Sequence, residues 1–404
     1  MFKKMWKKGE GCPIKLIGHL QSFLGIYKES GRDKGFIIFA GLLTLLALAI
    51  PTGFKGSAYP ANAVRARVLV TGVNNERLKI IGPVRQGDQQ VVIKVLSGRF
   101  KGMTFSSSNH LMGKMEVDKV FLAGDVAFAV LSLGDDGKVV YAQIIDHYRT
   151  GKTIILSLLF IFLTVMLMGW MGIKILVTFA FSAAMLIKVL YPMMLRGWDP
   201  IFGSLLITLI ITALIIFIVG GLSSRALVAF LGAASGVIFT SILAFTFTKW
   251  FKIHGAVRPF TETLLFTGYG HLNLVHLFIA GVFIAASGAM TDLAMDVAAS
   301  MDEIKKQQPV ITRLALMHSG FTVARQAAGT MSTTLLLAYS AEYTAMIMTF
   351  IAQDIPLENV INMVWVSSEI LHTLVGCFGL ILVAPLTVFA GGMLLGNKTS
   401  FDLK

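Results

Sequence analysis

Long, mostly uncharged apolar runs constrain this chain most. Eight of them stand out, at about Phe36–Thr52, Ile154–Trp170, Ile173–Leu195, Ile201–Gly220, Ala226–Phe247, Leu272–Met290, Thr330–Ile351 and Leu371–Leu395. Most are close to the roughly 20 residues that a helix needs to cross a bilayer. Only 14% of the chain is charged and 55% is hydrophobic, against about 25% charged in a soluble domain. The expected fold is a polytopic α-helical membrane protein of about eight transmembrane helices. Only Met171-Gly172 separates the second run from the third, so a tight turn is expected there.

The composition shifts between residues 53 and 151. Short alternating runs appear at Val64–Val73, Gln90–Ser97, Gly102–Ser106, Val126–Leu133 and Lys138–Asp146. Asn74-Asn75, Ser97-Gly98 and Asp135-Asp136-Gly137 punctuate them. Period-two alternation between such turns predicts antiparallel β-structure. A small barrel or sandwich of five or six strands is expected, as an extracytoplasmic β-rich domain after the first helix. The expected division is a basic tail over 1–35, a first helix over 36–52, the β domain over 53–151 and a seven-helix membrane domain over 152–396. The last holds a cytoplasmic loop at 291–328, and a short tail follows at 397–404.

Charge sets the expected orientation. The net charge is +13, and Lys3, Lys4, Lys7, Lys8, Lys15, Lys28, Arg32 and Lys34 precede the first run. Lys174, Arg225, Lys305, Lys306, Arg313, Arg325, Lys398 and Lys404 fall on the same side in an eight-span topology. Only Arg196, Lys249, Lys252 and Arg258 fall in the short loops opposite. This asymmetry places both termini in the cytoplasm of a bacterial cell, with the chain in its plasma membrane. The basic bias reads as contact with anionic lipid, not with nucleic acid. Spacing of Ile14, Ile17, Leu20, Phe23, Leu24 and Tyr27 suggests an amphipathic helix on the inner surface. Cys12 and Cys377 are too far apart in this topology to pair, and no metal or cofactor motif accompanies them.

Candidate functional residues gather between Gly288 and Glu342. Asp292 and Asp296 lie one helical turn apart, a spacing that suits a cation or a polar opening. Arg325 stands before the seventh run, where it can anchor the helix, pair with Asp292 or hold an anionic solute. Thr330, Ser332, Thr333 and Thr334 open that run; they can cap it, pack it or line a polar path. Glu342 falls near its middle, where a carboxylate costs a few kcal/mol by insertion scales unless it faces a cavity or a partner. Lys188 is a possible partner. The other reading is a helix break near Tyr339-Ser340 that lets Glu342 reach water. Gly232 and Gly236 form a GxxxG packing pattern.

No P-loop, HExxH, GxSxG or dinucleotide fingerprint is present, so neither ATP hydrolysis nor another enzyme activity is expected. The runs GAMTDLAMDVAASMDEI, LALMHSGFTVARQAAGTMSTTLLLAY and SSEILHTLVGCFGLILVAPLT resemble the YibE/F-like integral membrane family. Asn109 and the segments Gly98–Gly102 and Ile144–Arg149 fit it as well. Asp292, Arg325, Gly329, Thr330, Thr334, Glu369 and Gly376 match the family pattern, which makes Glu369 a further candidate. Ala324, Gln326 and Thr333 depart from it. The resemblance implies a membrane location, and a related membrane paralogue or a second copy as partner. The expected function is a permease or exporter of a small solute. The alternative is a non-transporting scaffold or signalling subunit whose outer domain binds an envelope component.

Overall fold

The computed structural model describes residues 31–54 and 62–397. The tail beyond Asn397 and nearly all of the basic tail, with its expected amphipathic helix, lie outside them. The chain divides into two compact units. Residues 54–163 form one; the other joins the segment ending at Gly53 to everything from Thr164 onward.

The smaller unit is a six-stranded antiparallel sheet. Its strands are β1 (Ala63–Asn74), β2 (Leu78–Ile81), β3 (Val84–Val95), β4 (Thr104–Met112), β5 (Val126–Leu133) and β6 (Val139–His147). They run in the order β2-β3-β1-β5-β6, and β4 pairs along the other edge of β3, from Gln86 to Lys94. Alternation gives it a core: Ala66, Val68 and Val70 of β1 meet Val91, Ile93 and Val95 of β3 and Ala127, Ala129 and Leu131 of β5. β4 and β6 approach each other, and the Ile144 amide donates to Ser107 Oγ at 2.9 Å. The expected strand at Gln90–Ser97 covers only the second half of β3; β2 and the first half of β3 show no alternation in sequence, being four largely exposed residues and the polar stretch 85–89.

One buried polar node holds the loop that follows β4. Gln89 is fully buried. Its Nε2 donates to Asn75 Oδ1 at 2.9 Å and to the Phe121 carbonyl at 3.0 Å. Its Oε1 accepts from Asn109 Nδ2 at 3.1 Å and from the Phe121 amide at 3.0 Å. Such a node is tolerated in a core because every polar group in it is satisfied. Nearby, Asp118 accepts from the amides of Met112, Gly113 and Lys114. These bonds, with Met112 foremost, favour the ionised carboxylate and hold its pKa below the ordinary value.

The larger unit is helical. It contains α1 (Gly31–Ala49), most of α2 (Thr150–Ala184), a π-helical stretch (Met185–Leu190), α3 (Tyr191–Leu195), α4 (Pro200–Gly220), α5 (Ser224–Trp250) and α6 (Thr261–Phe266). It ends with α7 (Leu274–Gln307), α8 (Arg313–Glu342), α9 (Thr344–Ala352), α10 (Leu357–Asn362) and α11 (Val364–Leu395). The core lies where α5, α7, α8 and α11 meet. On α7 the buried positions Ile279, Val282, Phe283, Ala286, Met290, Leu293, Val297 and Met301 recur at helical spacing, giving a continuous apolar stripe.

Glycine sets the closest helix contacts. A Cβ on Gly232 or Gly236 of α5 would overlap Thr387 or Val383 of α11, and one on Gly379 of α11 would overlap Thr240 of α5. The GxxxG pattern is thus the seam between α5 and α11, where small residues let two helices approach. At the start of α4, the Asp199 side chain caps the amides of Ile201 and Phe202 and meets His276 Nδ1 at 2.5 Å. Burial acts to raise the Asp199 pKa, but the His276 bond and the capped amides hold it below the usual value.

Among the described residues, five helical stretches are long and apolar enough to cross a membrane, and the pair α8–α9, bent by 63°, makes up to six. α1 is apolar but shorter. Leu156, Phe162, Met166, Phe202, Phe239, Ile242, Phe378, Ile381 and Phe389 are all exposed. So much outward apolar surface is unstable in water and suits lipid.

Three expectations need correction. The turn expected at Met171-Gly172 is a break at Gly169, whose φ of 54° and ψ of −125° interrupt α2. Glycine reaches that region at little steric cost. Residues 291–328, expected as a cytoplasmic loop carrying a charged amphipathic helix of its own, hold that helix as an unbroken extension of the preceding run: α7 runs on to Gln307, and α8 begins at Arg313. Charged residues do not stop a helix, and 34 residues extend about 51 Å at 1.5 Å each, well beyond a hydrocarbon core of about 30 Å. The hydroxyl run is therefore inside a helix, and the cap of α8 is Thr312.

A charged cluster and cavity around Arg258

The segment between α5 and α7 carries the organising residue. Gly255, at φ 82°, passes against the backbone of Leu274 and Val275, where a Cβ would clash. Pro259 follows Arg258 and biases it away from helix. Phe260 takes a left-handed conformation with φ 62°, and Thr261 Oγ1 donates to the Arg258 carbonyl at 2.7 Å. This turn points Arg258 between the end of α8 and the start of α11.

Four partners surround the guanidinium. Nη1 donates to Glu342 Oε2 at 3.2 Å and to the Tyr343 hydroxyl. Nη2 lies 3.2 Å from one Glu369 oxygen and 3.4 Å from the other, and 2.9 Å from His372 Nδ1. Because Arg258 can only donate, His372 Nδ1 accepts, which leaves the ring proton on Nε2. Glu369 and His372 are buried, three residues apart on α11. Four of the five guanidinium N–H groups are thereby engaged.

Tyr339 completes the cluster. Its ring stacks on His372 with centroids 4.3 Å apart and 29° between planes. Gly376 lies beside this ring, where an added Cβ would make an ordinary contact at 3.4 Å. The Tyr339 hydroxyl and His372 Nε2 are buried without a hydrogen-bond partner. Both residues line a cavity of about 300 Å³ together with Arg258, Glu342, Leu277, Phe278, Gly281 and Ala285.

The structure distributes the sequence candidates differently from expectation. Glu342 ends α8 and is 60% exposed, so the expected mid-span carboxylate is corrected to one at a helix break. Its partner is Arg258, not Lys188, which lies half-buried in the π-helical stretch. Glu369 belongs to the same cluster. Asp292, Asp296 and Arg325 are exposed, and no ion pair joins Arg325 to Asp292 among the described residues. Thr330, Ser332, Thr333 and Thr334 each donate to a carbonyl of their own helix, as hydroxyls in apolar helices commonly do.

Arg258, Tyr339, Tyr343 and His372 escaped the sequence reading. Arg258 registers there only as one charge in a short loop. The pair Glu369-x-x-His372 at the opening of an apolar run was the available signal, since two ionisable side chains one turn apart there need a partner.

Outward-facing apolar helices around a polar cluster define a membrane-embedded helical protein. The chain belongs to the YibE/F-like protein family, whose sequence profile matches residues 156–397. That stretch contains every member of the Arg258 cluster. No curated protein and no solved structure matches the chain.

Proposed function

We propose that this chain is a permease or exporter of a small solute, and that the cavity beside Arg258 is the vestibule through which the solute reaches the bundle. The cavity carries the reading. A purely structural bundle would fill about 300 Å³ with side chains, because unfilled apolar volume and unpaired buried polar atoms both cost stability. Here two unpaired buried polar atoms belong to residues that line the cavity.

A second observation extends the path. Gly281, Ala285, Gly288, Asp292 and Asp296 are all exposed on α7 and recur every three or four residues. They make one small and acidic stripe about 22 Å long, from the cavity toward the far end of the helix. Lipid would favour bulky apolar side chains there; a hydrated path or a partner helix accepts small ones. In this reading the chain crosses the plasma membrane eight times, with α2 divided at Gly169 and α8–α9 counted once. Both termini are cytoplasmic, the sheet unit is outside, and the transport step has no nucleotide chemistry of its own. The basic-residue asymmetry supports that orientation. The competing reading is a non-transporting subunit of a hetero-oligomer, which would cover the same stripe with a related helix.

Gly281 offers the decisive test. Gly281 lines the cavity and nothing lies within 4 Å of a Cβ built there, so Gly281→Trp introduces bulk into the cavity with no clash at Cβ. Proteoliposomes challenged with a panel of small ions and neutral solutes should swell or shrink faster than protein-free vesicles for at least one solute. Gly281→Trp should return that rate to the protein-free value. A rate equal in the blocked variant, or no protein-dependent flux across the panel, refutes transport.

A further inference from the structure

The solute class can be argued from the cavity wall, given that the cavity is where the solute binds. The charges do not balance. Glu342 and Glu369 each contribute a carboxylate, against the single guanidinium of Arg258, and His372 accepts at Nδ1 and adds no charge. The cluster is thus formally anionic by one charge. Arg258 is also occupied. An anionic solute would have to take its donors away from Glu369, stranding a buried carboxylate, which is costly. The Glu342 carboxylate, by contrast, is 60% exposed and faces the cavity. The Tyr339 oxygen is buried with an unused lone pair, and His372 Nε2–H is a buried donor without an acceptor.

A metal ion does not fit. Among the described residues, no three His, Cys, Asp or Glu side chains converge in a metal-holding group. The remaining wall is apolar or bare, with Leu277, Phe278 and Gly281. We propose that this cavity binds a small organic ammonium ion, with Glu342 and Tyr339 receiving the ammonium N–H groups, Phe278 and Leu277 covering the carbon chain, and His372 Nε2–H donating to an acceptor further along the solute. An amino alcohol meets all three demands. A plain alkylammonium meets two; a carboxylate of the same length supplies the chain and an acceptor but sets a second negative charge against Glu342.

Calorimetric titration of the purified full chain in detergent tests this, using 4-amino-1-butanol, n-butylamine and sodium butyrate as probes. The expected order of affinity is amino alcohol above alkylamine, with butyrate weakest. Glu342→Gln should weaken amine binding about tenfold and narrow the gap to butyrate, while its melting temperature stays near that of the parent, because the side chain is largely exposed. Tyr339→Phe should weaken the amines and leave butyrate unchanged. Butyrate binding as tightly as the amines, amine affinity unchanged in Glu342→Gln, or no saturable heat with either amine would each overturn the proposal. Because binding is read without flux, the two readings separate. Amine binding without transport sinks the permease and keeps the site; transport of another solute without amine binding does the reverse.

Discussion

Removing Arg258 should cost far more than removing the more visible of its two carboxylates. The Glu369 side chain is only 9% exposed. Arg258→Met strands that charge among apolar helices, and breaking a buried pair in this way costs about 3–5 kcal/mol. Arg258 itself is 31% exposed, so the guanidinium side of the pair is partly hydrated and the low end, about 3 kcal/mol, is expected. At about 2–4 °C per kcal/mol for a domain of this size, the melting temperature in detergent should fall by roughly 6–12 °C. Glu342→Gln removes a carboxylate that is 60% exposed and should cost at most about 1 kcal/mol. The double variant Arg258→Met/Glu369→Gln removes both buried charges and should recover most of the loss, since a neutral pair of similar shape is often tolerated. Tryptophan fluorescence melts of the parent, Arg258→Met, Glu369→Gln, Glu342→Gln and the double variant provide the cycle. A double variant as unstable as Arg258→Met alone, or a Glu342→Gln as costly as Arg258→Met, would show that burial of Glu369 does not set the energy.

Two further outcomes follow from the packing and from the sheet unit. Gly379→Ala should lower the melting temperature, because its Cβ overlaps Thr240 and Met290 and overpacking of this kind costs about 1–3 kcal/mol; Gly288→Ala, where the Cβ meets open space, should be neutral or slightly stabilising, and equal effects at the two sites would remove glycine as the determinant of the α5–α11 seam. Asp118 should titrate below 3.8 in a carbon-detected carboxyl titration, so its contribution to holding the loop after β4 is present above the unfolded-state value of about 3.9 and is lost as pH falls through its lower folded value; a midpoint at or above 3.8 would contradict the three-amide cradle.

Much of the architecture is local in origin, and the sequence determined it. Apolar runs announce membrane helices because every backbone group must be satisfied within the segment. Period-two alternation announces the sheet because successive side chains face opposite ways. Gly232 and Gly236 announce a close helix contact. The sequence also brought Glu342 and Glu369 forward, one as a costly carboxylate and one through a family resemblance. The tertiary structure decided what those residues do. Arg258 meets Glu342 across 84 positions and Glu369 across 111, and no periodicity spans such distances. It also decided against the hydroxyl run as a helix opening, because only the docked backbone shows that α8 starts at Arg313. The cavity belongs to the same class of fact. It exists because Gly281 and Ala285 are small where α7 passes the end of α8, and a void of that kind is a property of packed elements, not of any one segment.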